Sequence, residues 1–334
     1  MDATPRFRFL VAAAMRDEGA FLIEWVTWYR MLGFDRILVV TNDCTDHSVE
    51  LLTVLQDAGW LCHAAHRPRA GEAPKISAHR AMRAHALARQ TEWMFICDAD
   101  EFLALHAGGG SIGGFIDLPR RPFLGMAFHW RSFGDAGQTT WHDGLVHRTF
   151  RMAAEHRSIA NASFKSIFRT PMMFRLFREH APRGYKGNFG TGDAVWVNSK
   201  GHLMHRFNTQ NPGQMATAPG GVTHRYAQLN HYIVRSTESF ALKRGTPSAS
   251  ARLDRYTDAF DEKYNRNDQK DNSALGYRAA FDALHAQAMA IPGVRRLHHL
   301  CCADYVVRLA ALAGRAPRDD PRYAFHMDQA ASAG

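Results

Sequence analysis

The first hundred residues alternate short apolar runs with longer amphipathic segments, and this alternation constrains the fold more than any other feature of the chain. Phe7 to Met15 (FRFLVAAAM) has none of the polar alternation of a half-exposed strand, so it reads as a strand buried on both faces. Phe21 to Leu32 reads as an apolar helix closed by Gly33. Arg36 to Thr41 is a second buried strand, and Ser48 to Ala58 a helix capped by Thr45 or Asp46. Leu61 to His66 is a shorter strand. Pro74 opens a helix over Lys75–Arg89, and Trp93 to Cys97 is the next strand. Strands separated by helices in this way predict an α/β protein with a doubly wound sheet. Polar turns at 16–19, 42–46 and 98–101 all follow strands. Ligands gather at the carboxyl ends of such strands, so the three turns should share one crevice.

Further along, Gly125 to Trp130 is another strand, and 206–225 with its two Pro-Gly steps reads as a long loop. Asp254–Ala290 and Val294–Gly314 look helical, and the last twenty residues look frayed. The chain then divides into residues 1–245, carrying the sheet, and a helical C-terminal extension over 246–334.

Charge and cysteine content narrow the function. Lys and Arg number 41 against 32 Asp and Glu, a net charge of +9 that favours an anionic partner. No zinc finger, basic arm or RNA-binding signature accompanies it, so nucleic acid is not expected. Five cysteines without CxxC spacing argue against a disulfide framework and a structural zinc site. No apolar run spans a membrane, and the start of the chain lacks the pattern of a signal peptide, so a cytoplasmic location is expected.

Three constellations carry chemistry. Asp98-Ala99-Asp100 places two carboxylates at i and i+2 at a strand end, where they repel unless a cation joins them. A hard divalent metal takes such ligands and completes its shell with substrate phosphates; an Asp-rich cap or turn is the plain alternative. Asn42-Asp43 follows the second strand, where a carboxylate can accept from a ribose or base, or merely form a turn. Lys75, His79 and Arg83 recur at helical spacing with Arg80 nearby. This stripe either steadies a diphosphate or is ordinary solvated charge.

The ordered set Met15-Arg16-Asp17-Glu18-Gly19, Thr41-Asn42-Asp43-Cys44-Thr45-Asp46 and Cys97-Asp98-Ala99-Asp100-Glu101-Phe102 resembles the glycosyltransferase family 2-like group, in the bacterial branch with a DADEF box. The likeness continues through Trp130-Arg131-Ser132-Phe133-Gly134, Phe164–Arg169 and Asn230-His231-Tyr232 to Lys243. It implies a GT-A type, Rossmann-like mixed sheet flanked by helices, a nucleotide-diphosphate sugar donor, and Mn²⁺ or Mg²⁺ at the DxD. Residue by residue, Arg16, Asp17 and Glu18 match the first-strand loop beside the nucleotide, and Asp43 the acidic residue near base or ribose. Asp98 and Asp100 match the DxD, with Asp98 nearer the ribose. His231 matches a late motif position and is either a metal or diphosphate ligand or a core histidine held by a carbonyl.

One departure matters: related sequences often carry an acid within Val146–Phe150, where this chain has His147-Arg148. A catalytic base is sought instead at Asp193, in a Gly-rich stretch, with Asp135 second. The resemblance implies sugar transfer to a glycan or lipid-linked acceptor in surface-polysaccharide synthesis; a catalytically inactive glycan- or nucleotide-binding member is the alternative. Basic and apolar residues mingle over Val294–Leu312, a segment that either lies on a membrane surface or packs on the sheet domain.

Overall fold

A computed structural model describes residues 5–209, 215–245 and 254–333. The predicted division at 245/246 borders 246–253, which lie outside the described residues, as does 334; the predicted 206–225 loop includes 210–214, also outside them. The chain runs β1 (Phe7–Met15), α1 (Gly19–Met31), β2 (Arg36–Thr41), α2 (Ser48–Asp57), β3 (Cys62–Ala65), α3 (Pro74–Ala84), β4 (Thr91–Ile96) and β5 (Glu101–Leu105). It continues with β6 (Gly125–Ser132), β7 (Phe164–Arg169), β8 (Trp196–Asn198) and β9 (Ala227–His231). The longer helices that follow are α4 (Arg278–Met289), α5 (Val294–Leu312) and α6 (Pro321–Ser332).

These nine strands form one mixed sheet in the order β3-β2-β1-β4-β7-β6-β9-β5, with β8 also on β6. The β3-β2-β1-β4 half is parallel. β7 enters antiparallel between β4 and β6, and β5 lies antiparallel on β9. The fold is therefore mixed α/β, a sheet flanked by helices.

Burial on both faces explains why β1 and β2 lack polar alternation. Phe9, Val11 and Ala13 point into a core with Trp25, Trp28 and Leu51 of α1 and α2. Leu10 and Ala12 point the other way, onto Ala78 and Met82 of α3. Gly33 ends the first helix with φ +86° in the left-handed region that favours glycine. Gly125 opens β6 against the Trp196 ring; a Cβ there would lie 2.3 Å from a ring carbon.

Three segments differ from expectation. The helix expected over Lys75–Arg89 breaks at His85, whose backbone is extended (ψ 144°) and whose ring accepts from the Leu87 amide, starting a second short helix at Ala86–Gln90. The segment expected as helical over 254–290 holds a short helix at Asp258–Tyr264, a two-residue strand at Gln269–Lys270 and α4. Its aromatic residues explain the interruption: Tyr256, Phe260 and Tyr264 pack around Phe240 as a small separate cluster. The tail expected to fray forms α6, packed along α5. Asp320 caps α6 by accepting from the Arg322 amide.

Candidate functional site

The turn after β4 builds the site. The chain leaves β4 at Ile96, crosses the carboxyl end of the sheet through Cys97–Asp100, and descends as β5 on the far edge. The Trp25 indole donates to the Asp98 carbonyl at 3.1 Å, and the Tyr232 amide to the Asp100 carbonyl at 2.8 Å. These two bonds fix the turn between α1 and the end of β9. It opens into a cleft of about 970 Å³ that is also lined by Arg16, Glu18, Asn42, Asp43, Lys75 and His231. A cleft of that size suits a nucleotide-sized ligand. The three polar turns do converge at one edge, as the strand pattern implied.

Asp98 and Asp100 share this cleft but have separate partners. Residues 98–100 form a turn and are not strand, so the pairing does not rest on strand alternation. Asp98 accepts from Lys75 at 2.6 Å and from Lys165 at 2.8 Å, one lysine on each oxygen. Burial raises its pKa, but the two ammonium groups outweigh it and hold the carboxyl well below the usual range. Asp100 accepts from Lys243 at 3.0 Å, and its other oxygen lies 3.7 Å from His231 Nε2. There too the attraction of Lys243 and His231 outweighs burial and lowers the pKa.

His231 resolves one of the alternatives. Its Nδ1 is buried without a hydrogen-bond partner among the described residues, so no backbone carbonyl holds it. The ring lies on Trp130, centroids 4.1 Å apart, and burial pushes its pKa down to about 4. An imidazole nitrogen thus faces a carboxylate oxygen. No third His, Cys, Asp or Glu donor gathers within 4.8 Å of that pair among the described residues. Any cation there would take two protein donors, Asp100 and His231, and complete its shell elsewhere. Asp98 meets a lysine at each oxygen and lies outside that pair.

Other predicted residues fall into two groups. Glu18 reaches the cleft beside Arg235 at 3.4 Å, with its pKa raised by burial. Arg16, Asp43 and Lys75 also line it, and Lys75 bridges to Glu179 at 2.8 Å. Asp17 does not line the cleft: with φ +54°, it accepts from the Thr45 amide at 2.7 Å and ties two of the turns together. Arg80 is not in the lining itself and pairs at 2.9 Å with Glu72, which is. Arg83 donates to the Phe174 carbonyl, and His79 is buried, so the basic stripe of α3 does not face the cleft beyond Lys75. Asp193 lies exposed in a turn outside the cleft lining. Asp135 is also outside it, accepting from Asn265 at 2.9 Å and Asn267 at 3.1 Å.

His147 and Arg148, which replace the acid of related sequences, lie outside the cleft as well. Glu24 of α1 accepts from the Val146 amide at 2.8 Å, the His147 amide at 3.0 Å and the His147 ring at 2.6 Å. The segment is an anchored turn under α1.

Sequence reasoning places none of Lys165, Lys243, Glu179, Arg235 and Arg308 in the cleft; Arg308 enters that reasoning only within the Val294–Leu312 segment. Lys165 is fully buried, and α5 delivers Arg308 to the cleft, where it donates to the Asp17 carbonyl. The apolar residues of α5, among them Leu297, Val306 and Leu309, are buried in the core of the chain. No helix among the described residues is long and apolar enough to cross a membrane.

No family model matches the chain. It is 30% identical over 98 residues to a glycosyltransferase family 92 protein of Ricinus communis, covering 29% of this chain and 17% of that protein. It is 27% identical over 220 residues to a glycosyltransferase family 92 protein of Oryza sativa subsp. japonica, covering 62% of this chain and 35% of that one. The chain therefore spans about a third or less of either relative. Among solved structures, it aligns with residues 1–349 of S. aureus TarS at a TM-score of 0.36 and 12% identity, over 98% of this chain and 92% of that one. The same fragment in complex with UDP-GlcNAc aligns at 0.35 and 12% identity, over 97% and 92%.

Proposed function

We propose that the chain is a glycosyltransferase of GT-A type that takes its sugar from a nucleoside-diphosphate donor. The observation that carries this reading is the meeting of the Asp98–Asp100 turn, the Asn42-Asp43 turn and a ring of cations in one cleft at the carboxyl ends of β1, β2 and β4. The names of the two plant relatives agree with it. Asn42 and Asp43 sit where they can accept from ribose or base. Arg16, Lys75, Lys243 and Arg308 line the same cleft and are the cations that would meet a diphosphate. Asp98 holds Lys75 and Lys165 in place and so orients cations of the cleft.

The reaction breaks the bond between the sugar's anomeric carbon and the diphosphate, and negative charge builds on the departing phosphate. The lysines and arginines of the cleft stabilise that charge, and their value rises where water is excluded. Mn²⁺ or Mg²⁺, held by Asp100 and His231 and by phosphate oxygens, would supply Lewis-acid stabilisation of the same leaving group. Of the carboxylates lining the cleft, Glu18 has its pKa raised by burial. We keep a glycan or lipid-linked acceptor, and a role in surface-polysaccharide synthesis at or near a membrane surface, as parts of this proposal. The substitution at His147 gives no support to an inactive protein, because that segment lies outside the cleft.

The test is calorimetric titration of UDP, GDP, CDP, ADP and dTDP with and without Mn²⁺, in wild type and Asp100→Asn. One nucleotide series is expected to bind, tighter with Mn²⁺. Asp100→Asn should lose about tenfold or more of the Mn²⁺-dependent gain. Unchanged Mn²⁺ dependence in the variant, or no binding by any series, would overturn the proposal.

A further inference from the structure

A second cluster lies outside the cleft lining. It joins α5, α6 and the loop that follows β6. His298 Nε2 lies 3.2 Å from the Asp143 carboxylate and 3.7 Å from Cys302 Sγ. The rings of His299 and His326 meet through their Nδ1 atoms, 3.1 Å apart. Asp143, Cys302 and His326 each place a donor atom within 4.8 Å of the others, and so do Asp143, His298 and His299. The carboxylate thus sits at the junction of three imidazoles and a thiol. Cys302 and His326 are buried, and the side chains of His298 and Asp143 are 13% and 28% exposed.

We infer that this cluster is a structural zinc site, with Asp143, His298, Cys302 and one imidazole of the His299–His326 pair as its four ligands. Tetrahedral zinc with bonds of about 2.0–2.3 Å sets its donors roughly 3.3–3.8 Å apart; His298 stands 3.2 Å from Asp143 and 3.7 Å from Cys302, and the two triads, which share Asp143, would close onto one ion by side-chain rotation. Thiolate and imidazole select zinc over magnesium or calcium. The charges close: one carboxylate and one thiolate balance the dication, and the Cys302 proton leaves to solvent on binding. The second imidazole of the pair then holds the ligating ring through their Nδ1 contact, the outer-shell support that ligating histidines commonly have.

Helical spacing makes the local half of this set: His298 and Cys302 are four residues apart on one face of α5. The rest arrives from 155 residues upstream and from α6. CxxC spacing is absent, and a reading of spacing alone therefore excludes zinc. The site would pin the loop carrying Asp143 to the two C-terminal helices. That loop also carries Trp141, which packs on Tyr305 and receives Arg322 at its carbonyl.

The inference is independent of the donor reading, and its test separates them. Untagged chain from zinc-containing medium, desalted and analysed for metals, should hold about one zinc. Replacement by Co²⁺ should give tetrahedral d–d bands and a thiolate charge-transfer band. Cys302→Ser should lose that charge-transfer band, while Cys44→Ser and Asp100→Asn keep it. Asp143→Asn, at a partly exposed position, should weaken zinc about tenfold or more, and serves if the cysteine variant does not fold. No bound zinc and no thiolate band in the wild type would overturn the inference. So would a band or stoichiometry that survives both Cys302→Ser and Asp143→Asn.

Discussion

Replacing Lys165 by Met keeps the side chain's length and removes its charge, and this isolates what holds the Asp98 turn. Lys165 is fully buried, 2.8 Å from Asp98 and 3.4 Å from Glu101, which is buried as well. Burial lowers the pKa of Lys165, but the attraction of Asp98 and Glu101 outweighs it and raises the value. Unit charges 2.8 Å apart attract by about 6 kcal/mol at an effective dielectric of ~20. Desolvation offsets part of that, and breaking a buried pair from one side costs about 3–5 kcal/mol because a charge is stranded. Asp98 keeps Lys75, so it is not stranded. Burial pushes the Glu101 carboxyl up to about 8, so that group carries little charge at pH 7 and Lys165→Met leaves little of it uncompensated.

The expected cost of Lys165→Met is therefore at the low end, about 3 kcal/mol at pH 7, and that of Asp98→Asn about 2–3 kcal/mol. The double variant should be less destabilised than their sum by about 1.5 kcal/mol or more, since Asp98→Asn alone leaves the buried Lys165 ammonium beside a neutral amide and Lys165→Met removes that stranded charge. Urea unfolding followed by tryptophan fluorescence measures all four proteins, with the m-value checked for constancy. Additivity within about 0.5 kcal/mol would refute the reasoning, because the two groups would then not act as one ion pair.

Two further outcomes test other parts of the frame. Burial raises the pKa of Asp271, but hydrogen bonds from Gln228, Ser273 and Arg131 outweigh it and bring the carboxyl down to about 2. A depressed carboxylate stabilises the fold above its ordinary pKa and loses that contribution as pH falls from about 4 towards 2. Asp271→Asn should thus cost about 2 kcal/mol at pH 6, and the gap to wild type in urea midpoints should narrow below pH 4; a gap independent of pH would contradict this. Glu24→Gln replaces an acceptor of three N–H groups by one that turns an amide towards them, so it should cost about 2–4 kcal/mol and speed amide exchange at Val146 and His147. Nucleotide affinity should be unchanged; its loss in a variant of unaltered stability would place that segment in the site.

The contrast between local and distant information explains how much of the molecule was legible. β1 and β2 were read with their correct ends, because a strand buried on both faces carries an unbroken apolar run and stops at a polar turn. Asp98 and Asp100 were legible as a pair because they are two residues apart. Their partners were not: Lys165 lies 67 residues beyond Asp98, Lys243 is 143 beyond Asp100, and Arg235 is 217 beyond Glu18. Each is one basic residue among 41, and only the register of β7 and the turn after β9 bring them in. The stripe on α3 shows a subtler limit. Its periodicity was right, but periodicity says which residues share a helix face and not what that face meets. Here Lys75 meets Asp98, His79 is buried, and Arg83 meets a carbonyl of residue 174. Asp135 and Asp193 follow the same logic. An aspartate in a glycine-bearing loop commonly serves its own turn or a neighbouring one. Asp135 does so through the Gly137 amide and two asparagines. A base sought by sequence position alone therefore drifts to turn residues. Glu18 was legible through the first-strand loop, but the cleft carboxylate Glu179 stands out only once Lys75 is seen beside it.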